Sequence, residues 1–270
     1  MKNCLPSEKG AVEALFSDSI YQNRHLGWLD LWDLPGIGGS VRLFGDKSFQ
    51  CLIAVQPVAD KVCWLHSFYC SSRPSPELYF IRALKTFFTE GTTSVFTISS
   101  HRWYSDLLER NGFKQCDEII EYETDRIMIP HADVSQITSP LPDSMITSVM
   151  ENCETAFPVL WRLSKKELET AFSDADYRQM IGDTDHIHAY IMADLSDRHC
   201  HILRLASNPG YQHQGFATGL VRRMVSDCEE KGITTFSVNT NKKNSAATDF
   251  YRALNFIQLE KVYPVYHRYL

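Results

Sequence analysis

The stretch SNPGYQHQGFATGL, from Ser207 to Leu220, lies between a strand-like run and a helix-like run. Its core, Gln212 to Ala217, is a short turn that is rich in small residues. The first N–H groups of a helix have no intrahelical partner, and a helix N-terminus carries about half a positive charge. Small residues in front of such a helix let phosphate oxygens approach the backbone closely. The stretch therefore predicts a loop that binds an anion, and a pyrophosphate suits it best.

Two other kinds of phosphate loop do not fit the sequence. The loop lacks the lysine of the GxxxxGK[ST] pattern, which argues against a Walker-type nucleotide site. It also lacks the GxGxxG pattern, which argues against a Rossmann dinucleotide site.

The spacing of the loop resembles a family signature. Gln212, Gly215 and Ala217 match Q/R-x-x-G-x-G/A of the GNAT superfamily of N-acetyltransferases. A second signature of that family, N-x-x-A-x-x-x-Y-x-x-x-G-F, is matched by Asn244, Ala247, Tyr251 and Phe256. Asn255 stands where the family usually has glycine, and asparagine tolerates the left-handed conformation well enough for the turn to survive. The resemblance covers roughly residues 143–270.

The resemblance implies that acetyl-CoA is a co-substrate and that the backbone of the loop binds its pyrophosphate. It also implies that the strand Leu205–Ser207 pairs with the pantetheine arm in a slot between two parallel strands. The implied coenzyme-binding residues are Leu205, Ala206, Ser207, Gln212, His213, Gln214, Gly215, Phe216, Ala217 and Asn244. The alternatives are an ordinary strand-to-helix turn, a strand that only closes a sheet and, at Asn244, a plain helix N-cap.

Tyr251 is the candidate catalytic residue. An amine that attacks a thioester expels a thiolate, which benefits from a proton. A phenol with a reference pKa near 10 can supply that proton, and the resemblance implies that Tyr251 points at the coenzyme sulfur. The alternative is a core aromatic residue. For the general base, Glu154, Asp194 and His201 are candidates by position only, and a core or surface role is favoured for each.

The acceptor side gives a weaker signal. Phe157 and Trp161 follow Glu154 near the early helix of the second half, a region that often borders the acceptor pocket in the family that the chain resembles. Aromatic rings beside a carboxylate could receive a cationic amine, although an amphipathic helix that packs on the sheet is favoured.

Two His-x-His pairs raise the possibility of zinc. With Ser196 and Asp197 at the hairpin turn, His188 is expected near Leu205 and His199 near Asp194. The pairs then do not converge, no cysteine pair completes a tetrahedral site, and we expect no metal.

The patterns predict an α/β fold class. The resemblance implies two GNAT-like units, each with a mixed, mostly antiparallel sheet and helices on both faces. Helices are predicted over residues 6–31, 76–89, 102–113, 144–157, 164–181, 217–232 and 244–256, and strands over 40–45, 49–58, 62–70, 94–100, 118–123, 186–195, 199–208, 234–241 and 262–269.

An internal repeat appears when Phe113 is aligned with Phe256, without gaps. It predicts a degenerate domain over residues 1–130 and a catalytic domain over residues 131–270. Ser72, Pro74 and Leu108 then stand opposite Gly215, Ala217 and Tyr251, so the first domain lacks the coenzyme motif.

Composition limits the remaining classes. The chain has 270 residues, a net charge of -6 and no long basic run, so no nucleic-acid partner is expected. Its eight cysteines include no CxxC pair, which is typical of reduced thiols in the cytoplasm. No apolar run is long enough for a membrane span. Two units in one chain favour a monomer.

The resemblance, together with the chemistry expected of Tyr251, implies an N-acetyltransferase that moves an acetyl group from acetyl-CoA to a primary amine, of a small molecule or a peptide, by direct attack. One alternative is a non-catalytic acyl-CoA-binding or protein-interaction module. Another is an acyltransferase for a longer acyl chain. The acceptor stays open, although the negative net charge favours a cationic one by steering.

Overall fold

The computed structural model describes residues 2–14, 16–17, 19, 21–25, 30–45, 50–71, 76–128, 139–183 and 186–270. The chain forms two compact units. Unit 1 comprises Met1–Glu118 and Tyr263–Leu270, and unit 2 comprises Ile119–Val262. The predicted boundary at residues 130–131 lies outside the described residues, so the division into 1–130 and 131–270 stays a prediction.

Unit 1 is a mixed sheet with helices on both faces. Its elements are β1 (Lys2–Asn3), α1 (Lys9–Ala14), β2 (Tyr21–Arg24), β3 (Ser40–Gly45), β4 (Gln50–Ala59), β5 (Val62–Cys70), α2 (Pro76–Thr89), β6 (Ser94–Ile98) and α3 (Arg102–Arg110), with 3-10 helices at Pro6–Glu8 and Leu31–Ile37. The sheet order is β1-β3-β4-β5-β6, and only the β5–β6 pair is parallel among these. One face packs on α2 and α3, and the other packs on residues of α1 and Leu31–Ile37.

Unit 2 has the same kind of architecture. Strand β7 (Lys114–Thr124) leads into this unit. The elements after it are β8 (Ser139–Pro140), α4 (Ile146–Ala156), α5 (Lys165–Asp174), β9 (Tyr177–Gly182), β10 (Ile187–Ser196), β11 (His199–Ser207), α6 (Phe216–Glu230), β12 (Thr235–Asn241), α7 (Ser245–Ala253) and β13 (Ile257–Tyr269), with 3-10 helices at Asp143–Met145, Val159–Trp161 and Pro209–Tyr211. The sheet order is β7-β12-β11-β10-β9-β8, and only β11–β12 is parallel. The predicted α/β fold class is confirmed.

The two faces of the unit 2 sheet carry different helices. Cys200, Ile202 and Val238 belong to a core cluster with residues of α6 and α7, which we name the α6/α7 face. Side chains of alternate residues point to opposite sides of a strand, so His201 and Ser237 lie on the other face, which packs on α4. We name it the α4 face.

In unit 1, strand β2 lies along the edge of β5. The parallel pairing of β5 with β6 ends at Trp64 opposite Phe96, and β2 pairs with β5 farther on, from Ser67 to Cys70. The fully buried Asn23 of β2 spans the gap: its Nδ2 donates to the Ile98 carbonyl at 3.0 Å, and its Oδ1 accepts from Ser100 N–H at 3.0 Å. The space between the two parallel strands is therefore filled by the chain itself.

Two of the predicted helices are partly wrong. The predicted helix over residues 6–31 contains β2, which is held by its pairing with β5. The predicted helix over 164–181 stops at Asp174, and β9 begins at Tyr177. Tyr177, Met180 and Ile181 continue the helical spacing of apolar residues, which is why the sequence predicted a longer helix. Pairing with β10 makes this segment a strand instead.

The ungapped repeat is also wrong before its last helix. Helices α3 and α7 begin at Arg102 and Ser245, 143 residues apart, as predicted. The corresponding strands β5 and β11 begin at Val62 and His199, only 137 residues apart, and helices α2 and α6 begin at Pro76 and Phe216, 140 residues apart. The extra residues of the second half therefore lie partly in the connection after β11 and partly after α6 begins. Ser72 and Pro74 lie outside the described residues. No helix in the described part of the chain is long and apolar enough to cross a membrane.

Candidate active site

The pairing between the parallel strands of unit 2 ends early. The last paired residues are Ile202 of β11 and Val238 of β12. Beyond them, β11 continues along β10 and β12 continues along β7. In the described part of the chain, residues 203–207 of β11 have no strand on their β12 side. We name the gap between residues 203–207 and 239–241 the slot, and the predicted coenzyme strand Leu205–Ser207 forms one edge of it.

A β-bulge lies where the slot opens. Ala193 pairs with Ile202, but Met192 pairs with Arg204, so Leu203 is an extra residue on β11. A bulge interrupts the ladder and redirects the side chains that follow it. Leu205 consequently packs on the α6/α7 face, and Arg204 lies on the α4 face.

The loop after the slot ends in a helix with unpaired N–H groups. Gly215 precedes α6 with a φ of 79°. Gly219 N–H donates to the Gly215 carbonyl, whereas the N–H groups of Gly215, Phe216, Ala217 and Thr218 have no acceptor among the described residues. This cluster of N–H groups at the positive end of a 15-residue helix can bind a phosphate.

The conformation of Gly215 explains why the loop has glycine there. A φ of 79° is left-handed, which favours glycine. A Cβ atom built on Gly215 would meet nothing within 4 Å, so the space above its backbone is open. His213 also has a positive φ, of 59°, and is exposed. The loop thus presents backbone to open space rather than to protein.

Other contacts hold the loop in this shape. His188 of β10 stacks on Tyr211 with ring centroids 3.8 Å apart, and the Phe216 ring lies 5.8 Å from His188. The Gln212 side chain donates to the Ser207 carbonyl at 3.4 Å, and Gln214 Nε2 donates to the Gly210 carbonyl at 3.5 Å. The two predicted glutamines therefore brace the turn through their side chains.

Asn244 and Asn255 lie at the two ends of α7. Asn244 caps the helix, with its Oδ1 accepting from Ala247 N–H at 3.2 Å, which leaves its NH₂ group available for a ligand. Asn255 has a φ of 70°, and its side chain donates to the Arg126 carbonyl at 3.0 Å. The expected left-handed turn therefore forms without glycine.

Tyr251 lies on the inner side of α7, close to the slot. Its ring centroid is 6.2 Å from that of Tyr122, and Tyr122 pairs with Val238, where the slot begins. The side chain is almost fully buried, and burial raises the pKa of its phenol above the usual value. No hydrogen-bond partner of the hydroxyl occurs among the described residues. Tyr251 is therefore both a core aromatic residue and a protonated phenol with a free hydroxyl.

Comparison with known proteins identifies the domain. Residues 146–256, which contain the slot, the loop and Tyr251, match the model of the Acetyltransferase (GNAT) family. This part of the chain belongs to the GNAT family. None of the curated proteins matches the chain.

Solved structures show the same fold over a longer range. An acetyltransferase from the GNAT family of Colwellia psychrerythraea is 13% identical with a TM-score of 0.58, and the match covers 100% of this chain and 99% of that one. A probable N-acyltransferase of Enterococcus faecalis has a TM-score of 0.67 at 10% identity, covering 99% and 72%. A GCN5-related N-acetyltransferase of Sphaerobacter thermophilus has a TM-score of 0.57 at 11% identity, covering 81% and 76%. At these identities the likeness shows the fold alone.

On the α4 face of the GNAT domain, a serine joins two histidines. The buried Ser237 hydroxyl lies 2.7 Å from His201 Nδ1 and 2.9 Å from His199 Nε2. Burial, and then the neighbouring His199, lower the pKa of His201, so its imidazole is neutral near pH 7 and can accept a proton. The other two candidate bases, Glu154 and Asp194, are exposed. Burial and nearby carboxylates raise the pKa of Asp194.

The aromatic residues on the acceptor side contact an arginine of the protein itself. The guanidinium of Arg204 lies 3.7 Å from the centroid of the Phe157 ring, and its Nη2 donates to the Trp161 carbonyl at 3.1 Å. The protein's own cation thus takes the ring that a cationic amine could have used. Local sequence patterns could not predict this contact, because Arg204 and Phe157 are 47 positions apart.

The histidine pairs are not arranged around a common centre. Ser196 pairs with His199, which puts the hairpin turn at Asp197 and Arg198, one residue later than predicted. No group of three or more His, Cys, Asp or Glu side chains that could hold a metal ion occurs among the residues that the structure describes.

Proposed function

We propose that unit 2 is an acetyl-CoA-dependent N-acetyltransferase that acts on a primary amine by direct attack. The observation that carries the proposal is the slot beside the unpaired N–H groups of Gly215–Thr218, in a domain of the GNAT family. An edge of free peptide groups suits an extended amide-containing chain, and the N–H groups suit phosphates. These are the two chemical features of coenzyme A.

The chain offers a place for each part of the coenzyme. The N–H groups of residues 215–218 would hold the pyrophosphate, and the backbone of Leu205–Ser207 would pair with the pantetheine arm. Asn244 would contribute its free NH₂ group. Gln212, His213, Gln214 and Phe216 shape the loop. When bound, acetyl-CoA supplies an acetyl group activated as a thioester.

Each of the two proposed proton transfers is assigned to a residue on a different face of the sheet. Tyr251, on the α6/α7 face, would donate a proton to the departing thiolate, and its raised pKa keeps it protonated until then. His201, on the α4 face, would accept the proton of the attacking amine, and the Ser237 hydroxyl links it to His199. The proposed proton donor and proton acceptor then lie on opposite faces of the sheet.

Unit 1 is proposed to bind no coenzyme. The gap that is open between β11 and β12 is filled between β5 and β6 by β2 and the buried Asn23. This contrast supports one coenzyme per chain and agrees with the predicted loss of the motif from the first half. The monomeric state, the cytoplasmic location and the absence of nucleic-acid and membrane partners remain predictions.

A thiol-release assay tests the proposed function. The purified chain is mixed with acetyl-CoA and a panel of small amines, amino acids and peptides, and free thiol is followed. Release that depends on the amine supports the enzyme. Coenzyme binding without release from any amine favours the non-catalytic acyl-CoA-binding module. Faster release from butyryl-CoA than from acetyl-CoA favours a transferase for longer acyl chains.

A further inference from the structure

Arg204 is a charged side chain held in a fixed position beside the slot. Its Nη2 atom donates to the Cys153 Sγ atom and to the Trp161 carbonyl, both at 3.1 Å. Its guanidinium carbon lies 3.7 Å from the centroid of the Phe157 ring. A guanidinium fixed by stacking and two hydrogen bonds loses little further entropy when it binds a ligand.

The remaining hydrogen-bonding capacity of Arg204 is unused. A guanidinium has five N–H donors, and among the described residues only Nη2 has acceptors within 3.5 Å. The Nε atom is buried without a partner, and no carboxylate of the described residues lies within 4 Å of the guanidinium. The Tyr190 hydroxyl is buried beside Arg204. Burial raises the pKa of that phenol, and the charge and hydrogen bonding of Arg204 partly offset this effect. A partly buried cation without a counter-ion is costly, and an anion from outside would offset that cost.

The position of Arg204 places this unmatched charge on the acceptor side. It follows the bulged Leu203 and precedes the coenzyme strand Leu205–Ser207. Its side chain is on the α4 face, the face of the proposed proton acceptor His201 and opposite that of Tyr251. A group bound by Arg204 would therefore lie next to the attacking amine rather than the leaving thiolate.

We propose that Arg204 binds a carboxylate of the acceptor, which makes the acceptor an amine that also carries a carboxylate, as amino acids do. The inference rests on the proposed function and deepens it. The Nη1 group has no partner within 3.5 Å among the described residues, and it can donate a charge-assisted hydrogen bond to a carboxylate, which is roughly twice as strong as a neutral one. A nearby guanidinium also disfavours the ammonium form of the acceptor, so more of the amine is present as the neutral nucleophile. Polyamines are repelled by the same charge.

The test compares matched acceptors that differ only in the carboxylate. Lysine, lysinamide and cadaverine form one set, and tyrosine, tyrosinamide and tyramine form another. Thiol release gives kcat/KM for each with the wild type, Arg204→Lys and Arg204→Gln. A charge-assisted hydrogen bond contributes about 1.5–3 kcal/mol, so the wild type should prefer the free amino acid over its amide about 10-fold to 100-fold. Arg204→Gln should bring this ratio close to one, and Arg204→Lys should leave a reduced preference.

The ratio of kcat/KM for the free amino acid to kcat/KM for its amide distinguishes recognition of the carboxylate from a purely structural role of Arg204. A residue that only holds Phe157 and Trp161 in place would, when replaced, lower kcat/KM for all three members of a set alike. That result, or a wild type that releases thiol with no preference for the carboxylate, overturns the inference and leaves the proposed function intact. No thiol release with any amine, together with no binding of acetyl-CoA, overturns the proposed function, and the inference fails with it.

Discussion

Tyr122 and Tyr251 face each other across the unit 2 core, with ring centroids 6.2 Å apart. Tyr122 is paired with Val238, the last residue of β12 that pairs with β11. This pairing brings a helix residue, Tyr251, to the point where the sheet opens, although no motif in the sequence specifies that distance. The proposed chemistry depends on this relationship.

Removal of the Tyr251 hydroxyl should slow catalysis without loss of the coenzyme. The ring is buried and its hydroxyl has no partner among the described residues, so Tyr251→Phe leaves the packing intact. General acid catalysis contributes about 100-fold or more, and we expect kcat to fall by roughly that factor. Steady-state thiol release measures kcat, and calorimetry measures the Kd of acetyl-CoA. An unchanged kcat would eliminate Tyr251 as the proton donor.

Gly215 and Gly232 provide a matched pair for the loop. Both have a positive φ, 79° and 77°, and a Cβ atom on either would meet nothing within 4 Å. Alanine at each site should therefore cost a similar amount of stability, about 1 kcal/mol, from backbone strain. Only Gly215→Ala places a methyl group over the N–H groups of the loop, so only this variant should bind acetyl-CoA more weakly. Equal affinity of the two variants would contradict the position of the phosphate site.

Strand β2 and Asn23 fill the gap between β5 and β6 of unit 1, which predicts how many coenzymes bind per chain and how much Asn23 contributes to stability. Titration should show one acetyl-CoA per chain. Asn23→Ala leaves the Ile98 carbonyl and the Ser100 N–H without partners, which should destabilise the chain by about 2 kcal/mol in urea unfolding. Arg24→Ala, on the exposed side of the same strand, is the control and should cost much less. Two coenzymes per chain would show that β2 does not block the unit 1 gap.

Two stacked histidines make unit 1 sensitive to acid. The rings of His25 and His66 are 6.4 Å apart, and burial lowers the pKa of each to about 4. The unfolded chain, with pKa values near 6.5, takes up these protons first, so stability is lost as pH falls from about 6.5 towards 4. One such group loses about 2 kcal/mol between pH 7 and pH 5. Urea unfolding at the two pH values should show a smaller difference for His66→Asn than for the wild type; an equal difference would count against this assignment.

Local patterns predicted most of the fold because most elements are locally consistent. The helix at 76–89 and the strand at 62–70 have the bounds that the sequence predicted. The predictions at β2 and β9 were wrong for one reason. Each segment is short, and its strand conformation depends on pairing with a strand that comes later in the chain, β5 for β2 and β10 for β9. The two signatures placed the loop and Tyr251, but Arg204, Ser237 and Tyr122 were missed, because only pairing across strands and packing on α4 and α7 bring them to the slot.

The N-terminus of α6 is the proposed site of the acetyl-CoA phosphates, and calorimetric titration of Ala217→Glu and Ala217→Gln tests this position. A glutamate in the first turn of a helix stabilises the helix by about 0.3–1 kcal/mol, so a loss of binding cannot be ascribed to unfolding. We predict binding to the wild type with a Kd on the order of micromolar, a modest loss in Ala217→Gln and a loss of tenfold or more in Ala217→Glu. Equal affinities of the two variants, or no binding by the wild type, would contradict the account.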